Sequence, residues 1–443
     1  MADVRPLPGL RYTATADLAA LVTPPYDVIA PEAQARYYER HADNIIRLEL
    51  GRDLPGDDAL DNRYTRAAVT FAEWRLRGVL AQDVPSFYLY EQRFAVAGTT
   101  YARGGLLARV RLEPWDAGVI LPHERTLSKP KDDRLKLLRA CAANLSPILA
   151  LYDDPKGDVS RGLARARKGK PTLELVDDEG EEHRLWLVRD AALTARLASL
   201  FGGRQLYIAD GHHRYETALA YRDEVLELRR ELGPDDAANF VLMALCAVDD
   251  PGLVVLPTHR LVRVAAAERL AALDATLTPW FEAEALDTAV GADGWVARLA
   301  AAGAVGKHTA AMVLVRAAGA TLLRLHSAGQ AAMATMGGEA ADGERRSAAW
   351  RALDVTVAHE LILDRALGID AAAVRTGEQV TYTRDAGAAA LAVQRGEASL
   401  ALLLNPTPPT QVRDVARAGD RMPQKSTYFY PKLLTGLVIN PLW

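Results

Sequence analysis

The stretch YIADGHHRYETALAYRD, residues 207–223, decides how this chain is read. Residues 204–209 form a short apolar run that reads as a buried strand, and residues 213–232 have the spacing of a helix. A strand-to-helix connection needs only a glycine and a cap residue. This one carries Asp210, Gly211, His212, His213 and Arg214 together. Free backbone N–H groups and the helix dipole favour an anion at such a start. Gly211 lets the backbone come close, Asp210 can cap the helix or bind a cation, and Arg214 offers a planar fork suited to phosphate oxygens. His212 and His213 point to different sides of the first turn, so at most one of them faces a ligand directly. The plain alternative is a capped helix whose histidines are solvated or bonded locally. Zinc is a poor match, because adjacent histidines do not readily share one ion and no CxxC or HExxH spacing completes a ligand set.

Strand-like and helix-like segments alternate outward from this junction. Residues 85–94 and 102–112 read as strands, 132–145 as a helix, and 172–188 as a hairpin around an acidic, glycine-containing turn. Residues 239–250 and 252–264 read as buried strands. The last third repeats the alternation with TAAMVLVRA, TLLRLH, a helix DVTVAHELILDRAL and a strand SLALLLN. The expected fold class is α/β with mixed sheets, α+β being the other option. Residues 153–171, rich in glycine, proline and basic residues, read as a linker or exposed loop. Three regions are expected. They are an N-terminal α/β region over 1–155, a central region over 156–264 holding DGHHR, and a C-terminal α/β region over 265–443 whose segment MPQKSTYFYPK returns to the site.

Composition excludes several classes. The chain has 443 residues, 49% hydrophobic and 25% charged, which is ordinary for a globular protein. A net charge of -4 gives no general affinity for nucleic acid or acidic membranes. The two cysteines, Cys141 and Cys246, lie far apart in apolar settings and build no disulfide framework. The start lacks a basic-then-apolar signal pattern, and no apolar run approaches a membrane span. A cytoplasmic protein acting on small molecules is expected, with no nucleic-acid or membrane partner.

Four further segments concentrate ionisable residues where a turn would suffice. TPPYDVIA (23–30) holds Asp27 in place behind a rigid Pro-Pro, as a ligand group or as a structural turn. LPHERTLSKPKDDR (121–134) sets His123 and Glu124 ahead of basic residues; Glu124 there is a general base, a Mg²⁺ ligand, or a partner of Arg125 or Lys129. LPTHRLV (256–262) puts His259 and Arg260 at the end of an apolar strand. RMPQKSTYFYPK (421–432) carries Lys425, Ser426 and Lys432. Lysine use sharpens the pattern, because only nine of 53 basic residues are lysine. Lys129, Lys131 and Lys136 fall within eight positions, and a lysine kept where arginine is the default marks a place for a compact ammonium, unless the cluster is a solvated face. Pro130 among them argues for a shaped loop over a helix face. NIIRLELG (44–51) puts Arg47 and Glu49 at alternating positions, as in an amphipathic strand.

Read together, PPYDVI, NIIRLELG, PHERTLSKPKDDRLKLL, NLSPILALY, ADGHHRYETAL, LPTHRLV, LDVTVAHELIL and MPQKSTYFYPKLLTGLV identify the chain as a member of DUF1015, a bacterial and archaeal family of unknown function, from about residue 3 to the C-terminus. DGHHR also resembles the signature of the ParB/sulfiredoxin-like superfamily, and in particular of its free serine kinases, which phosphorylate L-serine to O-phospho-L-serine. The resemblance implies that Gly211 and the backbone of His212 and His213 cradle phosphate, that Arg214 binds it, and that Asp210 sits beside Mg²⁺ or the transferred group. The catalytic set it implies is Asp210, His213 and a glutamate base, Glu124 or Glu49. Lys129, Lys131, Arg134 and Lys425 would add charge around the phosphates, and Asp27, His123, His259, Arg260 and Ser426 would meet the substrate.

Phosphoryl transfer suits this inventory, because it needs positive charge around the phosphates, Mg²⁺ and a base to orient the hydroxyl. A zwitterionic amino acid would need one carboxylate and one cation besides. No GxxxxGK[ST] and no protein-kinase set is present. The donor implied is a nucleotide or pyrophosphate. A hydrolase using water in the same pocket and a ParB-like nucleotide-binding regulatory protein are the other two readings.

Overall fold

A computed structural model describes residues 1–15, 17–126, 128–304, 310–335 and 346–443, with the side chains of Lys129 and Ala304 also outside the described set. The chain forms two units. The first comprises 1–122, 126–254 and 431–443, and the second 123–125 and 255–430.

In the first unit the apolar runs form one mixed sheet. Its strands are β1 (Val4–Arg5), β2 (Phe87–Val96), β3 (Thr99–Arg111), β4 (Ile120–Leu121), β5 (Ile148–Tyr152), β6 (Leu173–Val176), β7 (Glu182–Val188), β8 (Leu206–Asp210) and β9 (Phe240–Ala247). They lie in the order β4-β8-β5-β9-β3-β2-β7-β6, with β1 added to β3. The pairs β8–β4 and β9–β5 are parallel, and the remaining pairs are antiparallel. Every residue of β5 and β9 is buried, as expected of strands covered on both faces. Helices α3 (Asp158–Ala166), α4 (Ala191–Phe201) and α5 (His212–Arg229) place Val159, Leu197, Phe201, Tyr215 and Ala218 in one core with Ile148, Ala150, Ile208 and Met243. The β8–β5 register shifts between Ile208 and Asp210, so the strand bends just before the glycine.

The second unit holds a six-stranded antiparallel sheet. Its strands are β10 (His259–Val262), β11 (Phe281–Leu286), β12 (Ala311–Arg316), β13 (Gly319–Leu325), β14 (Val380–Thr383) and β15 (Leu400–Leu404), in the order β11-β13-β12-β15-β10-β14. Trp295, Leu299, Ala389 and Val393 from two helices close its core. The alternating mixed α/β architecture is the one expected. Among the described residues, no helix is long and apolar enough to cross a membrane.

Five local expectations are corrected. Residues 44–51 do not form a strand: Ile46–Glu49 is a single helical turn, α1. Asn44 explains this, because its side-chain oxygen accepts from the Ile46 N–H at 2.8 Å and its amide donates to the Ala20 carbonyl at 2.7 Å, a local turn bond that competes with a strand ladder. Pro130 lies inside a helix, α2 (Ser128–Cys141), where the first turn tolerates a residue without an N–H. Residues 252–264 do not run as one strand, for Pro257 separates Val254–Val255 from β10. His259 and Arg260 therefore begin a strand. The 153–171 stretch contains α3, whose Val159 and Ala166 are buried in the core.

A half-buried carboxylate in the second unit gives a pH prediction. Burial raises Asp354 from the ordinary carboxylate value to about 6, with Asn405 and the Ala311 N–H pulling it down only in part. Its folded pKa lies above the unfolded one, so the native state binds more protons between pH ~4 and ~6, and stability falls as pH rises through that window. Asp354→Asn is expected to raise the melting temperature at pH 7.5, equivalent to on the order of 1–3 kcal/mol, and to leave it unchanged at pH 4. Equal melting shifts at both pH values would contradict this.

Candidate functional site

The strand–helix junction builds an ion cluster. Gly211 sits at φ +93, a conformation that side chains resist, and a Cβ there would lie 2.9 Å from the Arg214 Nε. This turn drops Asp210 from the end of β8 in front of the first turn of α5. The Lys432 Nζ donates to Asp210 Oδ1 at 2.6 Å, and the Arg214 Nη2 to Oδ2 at 2.8 Å. Arg214 also holds the Pro147 carbonyl through Nη1. Burial works against ionisation of Asp210, but Lys432 and Arg214, helped by His212, hold its carboxyl well below the usual carboxylate range. His212 is buried, and His213 is half-buried beside it.

Glu49, on α1, is 2% exposed and lies in the same unit. Burial pushes its pKa up, opposed by Arg134, Arg214 and a hydrogen bond from the Ser146 hydroxyl at 3.3 Å. The Arg134 Nη1 is 3.5 Å from Glu49 Oε1 and donates to the Glu49 carbonyl oxygen at 3.0 Å. Its guanidinium stacks 4.0 Å over the Tyr26 ring and pairs with Asp133 at 2.6 Å. Burial raises the Tyr26 hydroxyl to about 12, and Asp27 and Glu49 add to that. A cavity of about 40 Å³ lies against Glu49, Arg134, Ser146, Arg214 and Thr217. That is room for a water or a hydroxymethyl group, far below a nucleotide-sized pocket. Lys131 is spent elsewhere, 3.0 Å from Glu216 Oε2, which also accepts from the Thr126 hydroxyl at 2.6 Å.

The structure thus gathers Asp27, Glu49, Arg134, Asp210, Gly211, His212, His213 and Arg214 around one strand–helix corner. Lys432, the last residue of the 421–432 segment, joins them, and so do Tyr26 and Ser146, neither of which stood out in the sequence. Sparse lysine use was the signal for Lys432. A donor set that went unread is Asp177, Glu181 and His183, with ligand atoms within 4.8 Å of one another. It is closed by its own bonds: His183 Nε2 lies 3.0 Å from Asp177 Oδ2, and Nδ1 lies 2.6 Å from the Tyr90 hydroxyl.

The remaining candidates whose side chains are described belong to the second unit. His123 is buried with Nε2 3.2 Å from the Thr427 hydroxyl. His259 Nδ1 accepts from the Leu404 N–H at 3.2 Å, and burial together with Arg260 lowers its pKa to about 4, so the ring is neutral. Arg260 is 1% exposed and donates to the carbonyls of Thr258, Gln424 and Lys425, and to His359 Nε2 at 3.3 Å. Burial lowers the guanidinium to about 10. The Tyr382 ring lies 5.4 Å from it, with its hydroxyl buried and unbonded among the described residues. Glu124 raises the Tyr382 hydroxyl further, after burial. Lys425 is exposed at φ +55, and the Ser426 hydroxyl donates to the Pro423 carbonyl at 2.5 Å.

Fold and site together define a mixed α/β protein with a clamped carboxylate at a strand–helix corner. Residues 4–356 match the model of a family described as protein of unknown function (DUF1015), and the chain belongs to that family. No curated protein matches it. Among solved structures it is distantly similar to a conserved hypothetical protein from Pyrococcus furiosus, at TM-score 0.33 and 11% identity over 74% of this chain and 92% of that one. A free serine kinase in complex with AMP matches at 0.34 and 11%, over 73% and 86%. SbnI with a C-terminal truncation from Staphylococcus aureus matches at 0.36 and 10%, over 76% and 87%.

Proposed function

We propose that this chain is a phosphotransferase that moves a phosphoryl group from a nucleotide or pyrophosphate to the hydroxyl of free L-serine. The observation that carries the reading is Asp210 clamped between Lys432 and Arg214 at the positive end of an 18-residue helix. The likeness of DGHHR to the ParB/sulfiredoxin-like free serine kinases names the reaction. Phosphate oxygens would meet the N–H groups after Gly211, with Arg214 and Lys432 supplying charge. Glu49 serves as the general base, supported by its raised pKa and by a cavity that admits a hydroxymethyl group. The serine oxygen attacks the donor's terminal phosphorus, the bond from that phosphorus to the bridging oxygen breaks, and the serine proton passes to Glu49.

Mg²⁺ would be held by Asp210 as a single carboxylate ligand arriving with the donor phosphates, whose negative charge would offset the Lys432 and Arg214 cations already bonded to both carboxylate oxygens. When bound, it neutralises phosphate charge. Glu124 is the other candidate for this base.

The test is to incubate the purified chain with L-serine and Mg²⁺ against ATP, ADP and pyrophosphate in turn, and to read phosphoserine by mass spectrometry. One donor should give product, and omitting serine should abolish most donor consumption. Equal consumption without serine would favour the hydrolase, and no consumption or binding of any donor would favour the regulatory binding protein.

A further inference from the structure

The block LDVTVAHELIL does not fold as a plain α-helix. Asp354–Val357 is α-helical, and Ala358–Ala366 continues as a π-helix whose wide turn ends with the Leu367 N–H on the Ile362 carbonyl at 3.0 Å. π-helical turns are rare and recur at functional sites. This one delivers His359, Glu360 and Asp364 to a single cavity of about 210 Å³, many times the ~10–15 Å³ that one water requires.

The cavity wall carries both signs of charge. Arg125, Arg346, Arg375 and Arg421 line it together with Glu360 and Asp364. Among the described residues, neither carboxylate accepts a hydrogen bond or forms an ion pair, and neither Arg125 nor Arg375 has an ion-pair partner. Two carboxylates one π-turn apart repel each other: burial and then Asp364 raise the Glu360 pKa. Opposite charges therefore face one cavity beyond ion-pair reach of each other. His359 adds a neutral donor, because its Nε2 accepts from Arg260 and the proton is left on Nδ1. Trp350 forms an apolar wall, fixed by its Nε1–H on the Arg421 carbonyl at 3.0 Å.

A simple anion would leave the two carboxylates facing each other, and a simple cation would leave Arg125 and Arg375 unmatched. A small zwitterion satisfies both. We propose that this cavity binds a free α-amino acid, with its ammonium between Glu360 and Asp364 and its carboxylate on Arg125 and Arg375. The site uses none of the residues assigned to phosphoryl transfer, so it stands or falls independently of that reading.

Isothermal titration of the full chain with each of the twenty proteinogenic L-amino acids tests it, alongside the N-acetyl and carboxamide forms of any that binds. At least one free amino acid should bind saturably, and blocking either end should abolish the heat. Glu360→Gln and Arg375→Gln should each raise Kd at least ~10-fold, the scale of one charged hydrogen bond. Far-UV circular dichroism confirms that the variants fold. The proposal is overturned if no amino acid binds, if blocked forms bind as well, or if both cavity variants keep the parent's affinity.

Discussion

Replacing Asp210 by alanine is expected to lower phosphoserine formation at least ~10²-fold and to destabilise the first unit by about 1.5–3 kcal/mol, the scale of a charged hydrogen bond in a partly buried pair. The stability loss arises because Lys432 and Arg214, each with a side chain 12% exposed, lose their shared counter-charge. The activity loss arises because both cations then lack the anchor that aims them, and misplacement by an ångström costs about that factor. Asp210→Asn separates the effects, since it keeps the shape and removes the charge: turnover should fall as far, with a smaller loss of stability. Because the folded pKa of Asp210 is depressed, its contribution to stability is present above the unfolded value of ~3.9 and is lost as pH falls below it. Denaturant titrations of both variants at pH 7 and pH 3, beside turnover at pH 7, check each part. A fully active, fully stable alanine variant would remove Asp210 from the site.

The corner itself was legible because local chemistry dictates it. An apolar run, a glycine forced to positive φ and a long helical period leave little freedom at residues 206–229, and the mixed α/β class follows from the same alternation repeated along the chain. Misreadings fell where a local rule had two outcomes. Alternating polarity over 44–51 fits a strand, but one buried asparagine bonds the backbone N–H two residues on, and Glu49 is buried in the helical turn that follows. Pro130 reads as a helix breaker, yet in a first turn its missing N–H costs nothing. Long-range pairing was least accessible: the Lys432–Asp210 bond spans 222 positions, and the sequence offered for it the scarcity of lysine and the expected return of the 421–432 segment, with no partner residue named. The π-helix left no periodic signal, since Ala358–Ala366 fits an α-helical apolar pattern about as well.

Glu49→Gln is expected to cut turnover by about 10²–10⁴-fold, the contribution of a positioned general base, while leaving the fold intact. The reason is the contrast between its two roles. As a structural anion Glu49 lies 3.5 Å from an Arg134 that also pairs with Asp133 at 2.6 Å, and burial resists its charge. With its folded pKa raised, ionising it subtracts stability as pH rises through that pKa, so the neutral glutamine should match or exceed the parent in melting temperature at pH 8. As a base the same burial helps, by bringing the pKa nearer the working pH. The parent's rate should therefore rise with pH through a carboxylate pKa above the ordinary glutamate range, and the variant should lose that limb while donor binding by titration stays within about two-fold, since the phosphate groups of the corner are untouched. A variant that keeps the limb and the rate would pass the base to another carboxylate. One that loses both stability and donor binding would make Glu49 a structural ion rather than a catalytic one.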